Sequence, residues 1–108
     1  MAITSTQSAD KGIVHRAVGS YLDTGTVAAF NITTGFQPRY VRIVNETSGD
    51  QIEWYEGMAD SEGFKRVAAG TCAIVTSNGI IPLAYGFTVG LDTDIVFTSQ
   101  QLSWIALG

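Results

Sequence analysis

Hydrophobic and polar residues alternate along most of the chain with the period of two that is typical of β-strands. The alternation is clearest in RYVRIVNE, residues Arg39 to Glu46, where Val41 and Ile43 face one side of the predicted strand. A turn at Thr47 to Asp50 leads into a second strand from Gln51 to Glu56. We therefore predict a hairpin whose first strand is central in a sheet.

The C-terminal end, from Gly86 to Gly108, is predicted to contain three more strands. Their apolar positions are Phe87 and Val89 in the first, Ile95 and Phe97 in the second, and Leu102, Trp104 and Ala106 in the third. Because the last apolar run reaches Leu107, a frayed end would leave Trp104 in water. The final strand is therefore expected to be buried, with Trp104, Phe87 and Val41 in the core.

The N-terminal part begins with an arm, residues 1–11, that is polar and rich in Ser and Thr and is expected to be flexible or ordered by a neighbour. The strand from Ile13 to Leu22 is apolar on both faces, a pattern typical of a strand between a core and a second interface. A turn at Asp23 to Gly25 and a strand from Thr26 to Thr33 follow, so a hairpin is predicted here as well.

The middle of the chain adds a hairpin between Phe64–Val67 and Thr71–Thr76. Gly57 to Gly63 is the main irregular loop and the best place for a helical turn. Asn78-Gly79 carries a turn signal, and Pro82 is expected to stop pairing or to mark a sheet edge. About nine short strands without helical periodicity predict an all-β fold, an antiparallel β-sandwich or jelly-roll-like domain over residues 12–108.

Composition suggests that this domain does not stand alone. The chain has 108 residues, 45% of them hydrophobic and only 15% charged. It can bury a core without disulfides or metal, but a small soluble monomer normally carries about a quarter to a third charged residues on its surface. We therefore expect a partner to cover part of the surface.

Charge and cysteine content exclude several classes of function. The net charge is −4 and the six Lys and Arg residues are scattered, which disfavours nucleic-acid binding. The N-terminus lacks the pattern of a secretion signal, and no apolar run is long enough for a membrane span, so no membrane partner is expected. Cys72 is the single cysteine, which rules out an intrachain disulfide, and it is predicted to be buried in a strand.

Candidate catalytic groups are few. His15 is the one histidine and has no acidic neighbour in sequence, so a catalytic triad has no support. Glu53 and Glu56 face opposite sides of a strand, which argues against a glycosidase pair. Asp92 and Asp94 could offer two oxygens to Ca²⁺, which needs six to eight, although Asp-x-Asp is commoner as turn chemistry. We expect no enzyme activity and no cofactor.

Several segments carry a resemblance to known proteins. They are Phe30 and Phe36 ahead of PRYVRIV at Pro38–Val44, then YGFTV at Tyr85–Val89 and LSWIA at Leu102–Ala106. Together they resemble small β-sandwich domains of tailed-bacteriophage virion proteins, and the last two are similar to the ending of H-type lectin domains. In both groups the two segments pair within a sandwich that is commonly trimeric. Such packing motifs specify fold better than activity.

The resemblance implies a non-enzymatic structural protein of the virion, made in the cytoplasm of the bacterial host. The most specific expectation is a capsid decoration (cement) protein, a homotrimer that binds the major capsid protein or another virion protein across subunit boundaries and stabilises the head. Its arm would extend neighbouring sheets through main-chain hydrogen bonds. The residues expected at the assembly interface are Ile3, Thr4, Ile13 and Tyr21.

Two alternatives stay open. The first is a receptor- or carbohydrate-binding domain of a head or tail fibre, for which Asp50, Glu53, Trp54 and Tyr55 could form an aromatic and acidic platform, although Trp54 also suits a core position. No site residue is carried over from the H-type lectins. The second is a tail-completion or head-closure ring protein that docks through the loop at Gly57 to Gly63.

Overall fold

The structure, a computed structural model, describes residues 15–22, 28–92, 94–96 and 100–108. These ranges contain eight strands: β1 (Arg16–Leu22), β2 (Phe30–Thr33), β3 (Tyr40–Asn45), β4 (Gln51–Tyr55), β5 (Glu62–Arg66), β6 (Cys72–Leu83), β7 (Gly86–Val89) and β8 (Gln101–Leu107). All pairings are antiparallel, in the order β1-β8-β3-β4-β5-β6-β7-β2. The all-β antiparallel prediction is confirmed, and the strands form one strongly curled sheet, a half-barrel.

The curl brings the two outermost strands towards each other. β1 and β2 lie at opposite ends of the strand order, yet the rings of Tyr21 and Phe30 meet edge to face with centroids 4.5 Å apart. We call the gap between β1 and β2 the seam. The predicted hairpin of these strands is therefore wrong as a hydrogen-bonded pair, since β1 pairs with β8 and β2 with β7.

The core lies on the concave side of the half-barrel. Its buried side chains are Val41, Ile43, Ile52, Trp54, Ile80, Phe87, Val89, Ile95, Val96, Leu102 and Ala106. Val41 and Phe87 are fully buried, as predicted from the alternation. Trp104 is half-buried and packs against Phe87 with ring centroids 5.4 Å apart, so β8 closes the core as expected.

One predicted C-terminal strand is replaced by a turn. The backbone N–H groups of Ile95 and Val96 both donate to the carbonyl of Asp92, at 3.2 and 3.0 Å. This turn directs both side chains into the core, where they are buried. The apolar residues around Ile95 therefore belong to a buried turn and not to a strand. Phe97, which was predicted in the same strand, lies outside the described residues.

The Asn78-Gly79 signal bends a strand instead of ending it. β6 pairs with β5 at Val75 and resumes at Ile80, with the residues between them bulged. Asn78 has a φ of 58°, and a Cβ on Gly79 would lie 2.3 Å from the carbonyl oxygen of Glu62. The pair supplies the backbone freedom for a sharp bulge.

Pro82 was expected to stop pairing or to mark a sheet edge, but it lies in an interior strand and pairs with Phe87 of β7, so the expectation is wrong on the β7 side. The pairing of β5 ends at Ile80, and Pro82 lies beyond it. Cys72 lies in a strand as predicted, at the start of β6 beside the hairpin tip, but its side chain is exposed and not buried.

Within the described ranges no helix has the length and apolar character that crossing a bilayer would need.

The loop at 57–63 contains turns rather than the predicted helical turn. Trp54 Nε1 donates to the carbonyl of Ala59 at 3.2 Å, and the N–H of Ala59 donates to Glu62 Oε1 at 2.6 Å. The loop is therefore attached to the core tryptophan and to the first residue of β5.

Candidate functional site

A groove opens at the end of the half-barrel where β3 begins and β4 and β8 end. It has a volume of about 570 Å³, and its main walls are His15, Phe36, Arg39, Trp54, Glu56 and Pro82. We call it the mouth groove. The mouths of β-barrels are among the usual places for small-ligand sites.

Aromatic and charged groups meet in this groove. The His15 ring stacks on Phe36 with centroids 5.4 Å apart, and Arg39 Nε lies 3.3 Å from Glu56 Oε2. A Cβ on Gly108 would lie 2.4 Å from the Phe36 ring, so a glycine is needed beside this wall. An aromatic surface beside a carboxylate–guanidinium pair suits a ligand with one apolar face and several hydroxyl groups.

A second cluster lies next to the groove, on the convex face of β3 and β4. The hydroxyls of Tyr40 and Tyr55 both donate to Glu53 Oε2, at 2.9 and 2.7 Å. Burial, followed by the hydrogen bond to Glu53, raises the pKa of Tyr40 to about 12. The pKa of Tyr55 is raised as well, and here the hydrogen bond to Glu53 is the largest cause. Both hydroxyls therefore keep their protons and hold the carboxylate at neutral pH.

Aliphatic side chains occupy the convex face of β1, β8 and β3. Val18 is 65% exposed and lies opposite Ile105; Leu22, further along β1, is 53% exposed. Val44 lies on the same face of β3, opposite Ser103. We call Val18, Leu22, Val44 and Ile105 the outer apolar patch. Its middle carries the uncharged Ser20 and Ser103, and a low content of charged residues is typical of the centre of protein interfaces.

Three charged residues lie around this patch. Arg42, beside Ile105, donates through Nη2 and Nε to Gln51 Oε1 at 2.7 and 3.1 Å. Arg16 at the start of β1 and Glu46 after β3 are exposed at its border. A partner would therefore meet an apolar centre flanked by two guanidinium groups and one carboxylate.

The carboxylates considered as calcium ligands are bound by a lysine. Lys65 Nζ lies 2.7 Å from Asp94 Oδ2 and 3.2 Å from Asp92 Oδ2, and Asp92 is buried. The hydrogen bond to Asp94 is the largest cause of the raised pKa of Lys65. No three His, Cys, Asp or Glu side chains of the described ranges come together to hold a metal ion. The turn thus forms an ion bridge between β5 and the segment before β8.

The structure brings together only two of the four residues of the predicted glycan platform. Glu53 and Tyr55 meet on the convex face, whereas Trp54 is 4% exposed and belongs to the core. Asp50 lies apart, and its Oδ1 accepts the N–H of Ala68 at 2.7 Å. Trp54 therefore cannot serve as an exposed platform, because successive residues of β4 face opposite sides.

Of the predicted assembly residues, Tyr21 faces inward and packs on Phe30 across the seam. Ile3, Thr4 and Ile13 lie outside the described residues. The prediction that β1 is apolar on both faces is confirmed, but its outward contribution comes from Val18 and Leu22.

Sequence reasoning missed the partners of these clusters. The β3–β4 hairpin places Tyr40 opposite Tyr55 and Arg42 opposite Glu53, so the predicted turn could have given the tyrosine cluster. The mouth groove joins residues far apart in the chain, from His15 to Gly108, and no local signal indicates it.

Comparisons with models of protein families, with curated proteins and with solved structures found no match to this chain.

Proposed function

We propose that the protein is a non-enzymatic structural protein of a bacteriophage virion, a decoration protein that attaches to the capsid through the outer apolar patch. The observation that carries the proposal is a row of aliphatic side chains on three adjacent strands, exposed at Val18 and Leu22 and half-buried at Val44 and Ile105. The resemblance of the PRYVRIV, YGFTV and LSWIA segments to phage virion domains supports the choice of partner.

Burial of this patch would supply the attachment energy. Fully burying one aliphatic side chain contributes about 1.5–3 kcal/mol, so Val18, Val44 and Ile105 together could anchor a weak interface. Each further copy bound to the shell would add its own contribution to the cohesion of the shell. The flanking Arg16 and Arg42 suit a capsid surface that has acidic side chains around an apolar centre.

We also infer that the curled sheet packs as a sandwich does. β7 and β8 are not neighbours in the sheet, yet Phe87 and Trp104 contact each other across the interior. The bulge at Asn78-Gly79 gives β6 the bend that would fold its second half, with β7 and β2, over β3 and β8. This packing would leave the convex face free for the capsid.

Co-sedimentation with undecorated phage capsids tests the attachment. Val44→Lys places a charge in the patch and should abolish binding, while Thr76→Lys, a charge at an exposed position on β6, should leave it unchanged. Equal binding of the two variants, or a wild-type chain that does not sediment with capsids, would reject the proposed surface.

Carbohydrate binding at the mouth groove is the second candidate. The stacked His15 and Phe36 rings beside the Arg39–Glu56 pair favour it, because a sugar offers an apolar face and hydroxyls that both charged groups can bind. A glycan array followed by calorimetry with Glu56→Gln tests it, and a wild-type array without signal would remove it. The ring-protein alternative would dock through the loop at 57–63, which is exposed at residues 57, 59 and 60 and is held by the hydrogen bond from Trp54 to Ala59.

A further inference from the structure

The main-chain groups of β1 point alternately towards β8 and away from it. Gly108 N–H donates to the carbonyl of His15 at 2.9 Å, so these two residues are a hydrogen-bonded pair. In the antiparallel register that follows, Ala17, Gly19 and Tyr21 also bond to β8. The N–H and C=O groups of Arg16, Val18, Ser20 and Leu22 consequently point to the free side of the strand.

The opposite side of β8 confirms this assignment. Glu46 N–H donates to the carbonyl of Gln101 at 2.9 Å, so the odd-numbered residues of β8 bond towards β3. The even-numbered residues, including Trp104 and Gly108, are left for β1.

Within the described ranges, β1 has few of the features that usually protect a sheet edge. It runs for seven residues in unbroken register, contains no proline or bulge, and has one charge, at Arg16. β2, the other outermost strand, has only four residues. Natural proteins shorten, charge or bend exposed edges because unpaired main-chain groups recruit another strand. Within the described ranges β8 is the single strand paired with β1.

The side chains on this edge also favour a partner. Val18 and Leu22 are the most exposed aliphatic residues of the sheet edge, and they stand on the residues whose main-chain groups face outward. Gly19, between them, lies flat on Trp104, where a Cβ would be 2.6 Å from the indole ring. A glycine inside a strand allows another backbone to approach closely, because it has no side chain.

We propose that two copies of the chain pair antiparallel along β1 about a two-fold axis at Gly19, which joins the two half-barrels into one continuous sheet. In this register Val18 lies opposite the partner subunit's Ser20, and Arg16 opposite the partner subunit's Leu22. All four outward-facing residues of each strand then form hydrogen-bonded pairs, and Gly19 meets its own copy at a non-hydrogen-bonded position.

A second copy fits this edge because a two-fold contact is self-complementary; the contact closes a dimer, in place of the homotrimer that the resemblance implies. The two Arg16 side chains lie at opposite ends of the paired strands, so like charges do not meet. Val18 and Leu22 remain on the same convex face as Ile105, which leaves the patch of the proposed capsid attachment accessible. The pairing does not depend on that attachment, and each can fail alone.

Ser20→Pro is the decisive variant. Proline removes the N–H that points away from β8, so the intramolecular ladder is kept, and a proline is tolerated at an edge in this orientation. Ser20→Thr is the matched control, which keeps the N–H. We expect a dimer for the wild type and Ser20→Thr by sedimentation equilibrium, and a dissociation constant raised about tenfold or more for Ser20→Pro.

Hydrogen exchange gives an independent measurement on the unaltered chain. In the dimer the amides of Val18 and Ser20 should be protected, and they should lose protection on dilution while those of Ala17 and Gly19 keep it. This result would hold even if Ser20→Pro failed to fold.

Three outcomes would overturn the pairing. The pairing is rejected if the wild-type chain stays monomeric up to its solubility limit. It is also rejected if Ser20→Pro folds and still forms the dimer, because the dimer must then use another surface. Amides of Val18 and Ser20 that stay protected in the monomer would show that the chain itself covers the edge. Capsid binding is measured separately with Val44→Lys. Val44 lies on β3, two strands from the edge, so this variant should still dimerise.

Discussion

Tyr21 and Phe30 pack edge to face with ring centroids 4.5 Å apart, although they belong to the two strands at opposite ends of the sheet. The described parts of β1 and β2 are therefore linked across the seam by side-chain contacts and not by main-chain hydrogen bonds. The curl of the half-barrel depends on contacts of this kind.

Removing one ring of this pair should loosen the seam. Phe30→Ala is expected to lower the free energy of unfolding by about 2–4 kcal/mol, since the side chain is half-buried against the core. A double-mutant cycle with Tyr21→Ala should give a coupling of about 0.5–1.5 kcal/mol by urea denaturation. Fully additive losses would mean that the rings do not stabilise one another.

Gly19 and Trp104 provide a second cycle. Gly19→Ala should cost about 1–3 kcal/mol, because the new methyl group would lie 2.6 Å from the indole ring. In a Trp104→Leu background the same change should cost much less, since the smaller side chain leaves room. Equal costs in the two backgrounds, measured by thermal and urea unfolding, would place the strain elsewhere.

Asn45 holds the segment before β8. Its Nδ2 donates to the carbonyl of Ile95 at 2.9 Å, and its Oδ1 accepts from the N–H groups of Thr47 and Ser48 at 2.9 and 3.0 Å. Asn45→Ala should therefore lower the free energy of unfolding by about 2–4 kcal/mol, because buried polar partners are left without bonds.

The matched control for this change is Asn31→Ala. Asn31 is exposed and bonds only to the Thr88 hydroxyl among the described residues, so a loss below about 0.5 kcal/mol is expected. A similar loss at both positions in urea denaturation would contradict the structural role of Asn45.

The pattern of apolar residues predicted some strands of this sheet and missed other features. Alternation correctly identified β3, β4, β7 and β8, because one face of each is buried and the period of two is visible locally. It could not distinguish the turn at Ile95 from a strand, because a short apolar segment is buried in either structure; the turn buries the consecutive side chains of Ile95 and Val96. The order of strands also escaped it, because the pairing of β1 with β8 joins the two ends of the chain.

Lys65 predicts a loss of stability in alkali. Its folded pKa is raised above the ordinary value of 10.5, so the folded chain holds this proton more tightly than the unfolded chain. The contribution is complete below pH 10.5 and is lost as the pH rises through the folded pKa. Unfolding free energies of wild type and Lys65→Met should therefore converge above that pH.

Lys65→Arg separates charge loss from other alkaline effects. An arginine stays protonated throughout this range, so the variant should keep its stability where the wild type loses it. A parallel decline of both proteins would show that the bridge to Asp92 and Asp94 is not the titrating element.

Tyr40 predicts a late tyrosine titration. Its pKa of about 12, raised from 10.0, means that its contribution to stability is present below pH 10.0 and is lost as the pH rises towards 12. The difference in tyrosinate absorbance between wild type and Tyr40→Phe isolates this group. Glu53→Gln should lower the midpoint without restoring the ordinary value, because burial is the larger cause. A midpoint that Glu53→Gln leaves unchanged would contradict the observed hydrogen bond.

The site was less predictable than the fold. Glu53 and Tyr55 were named among the four platform residues, but their hydrogen bond was not predicted. Trp54 was named for the platform and also for the core; it faces the core, because it lies between two outward-facing residues of β4. Arg39, Glu56 and Phe36 of the mouth groove meet His15 only through the curl of the sheet, which no local pattern encodes.

The adjacency of β1 and β8 determines how the chain would respond to pulling. His15 and Gly108 lie side by side at the same end of the two strands. A force that pulls these two residues apart would break the hydrogen bonds between β1 and β8 one after another, instead of loading all of them at once. Mechanical resistance would therefore be low along this direction. A load spread over the convex face would press on the whole sheet, so the domain is better built to bear force through its surface than through its ends.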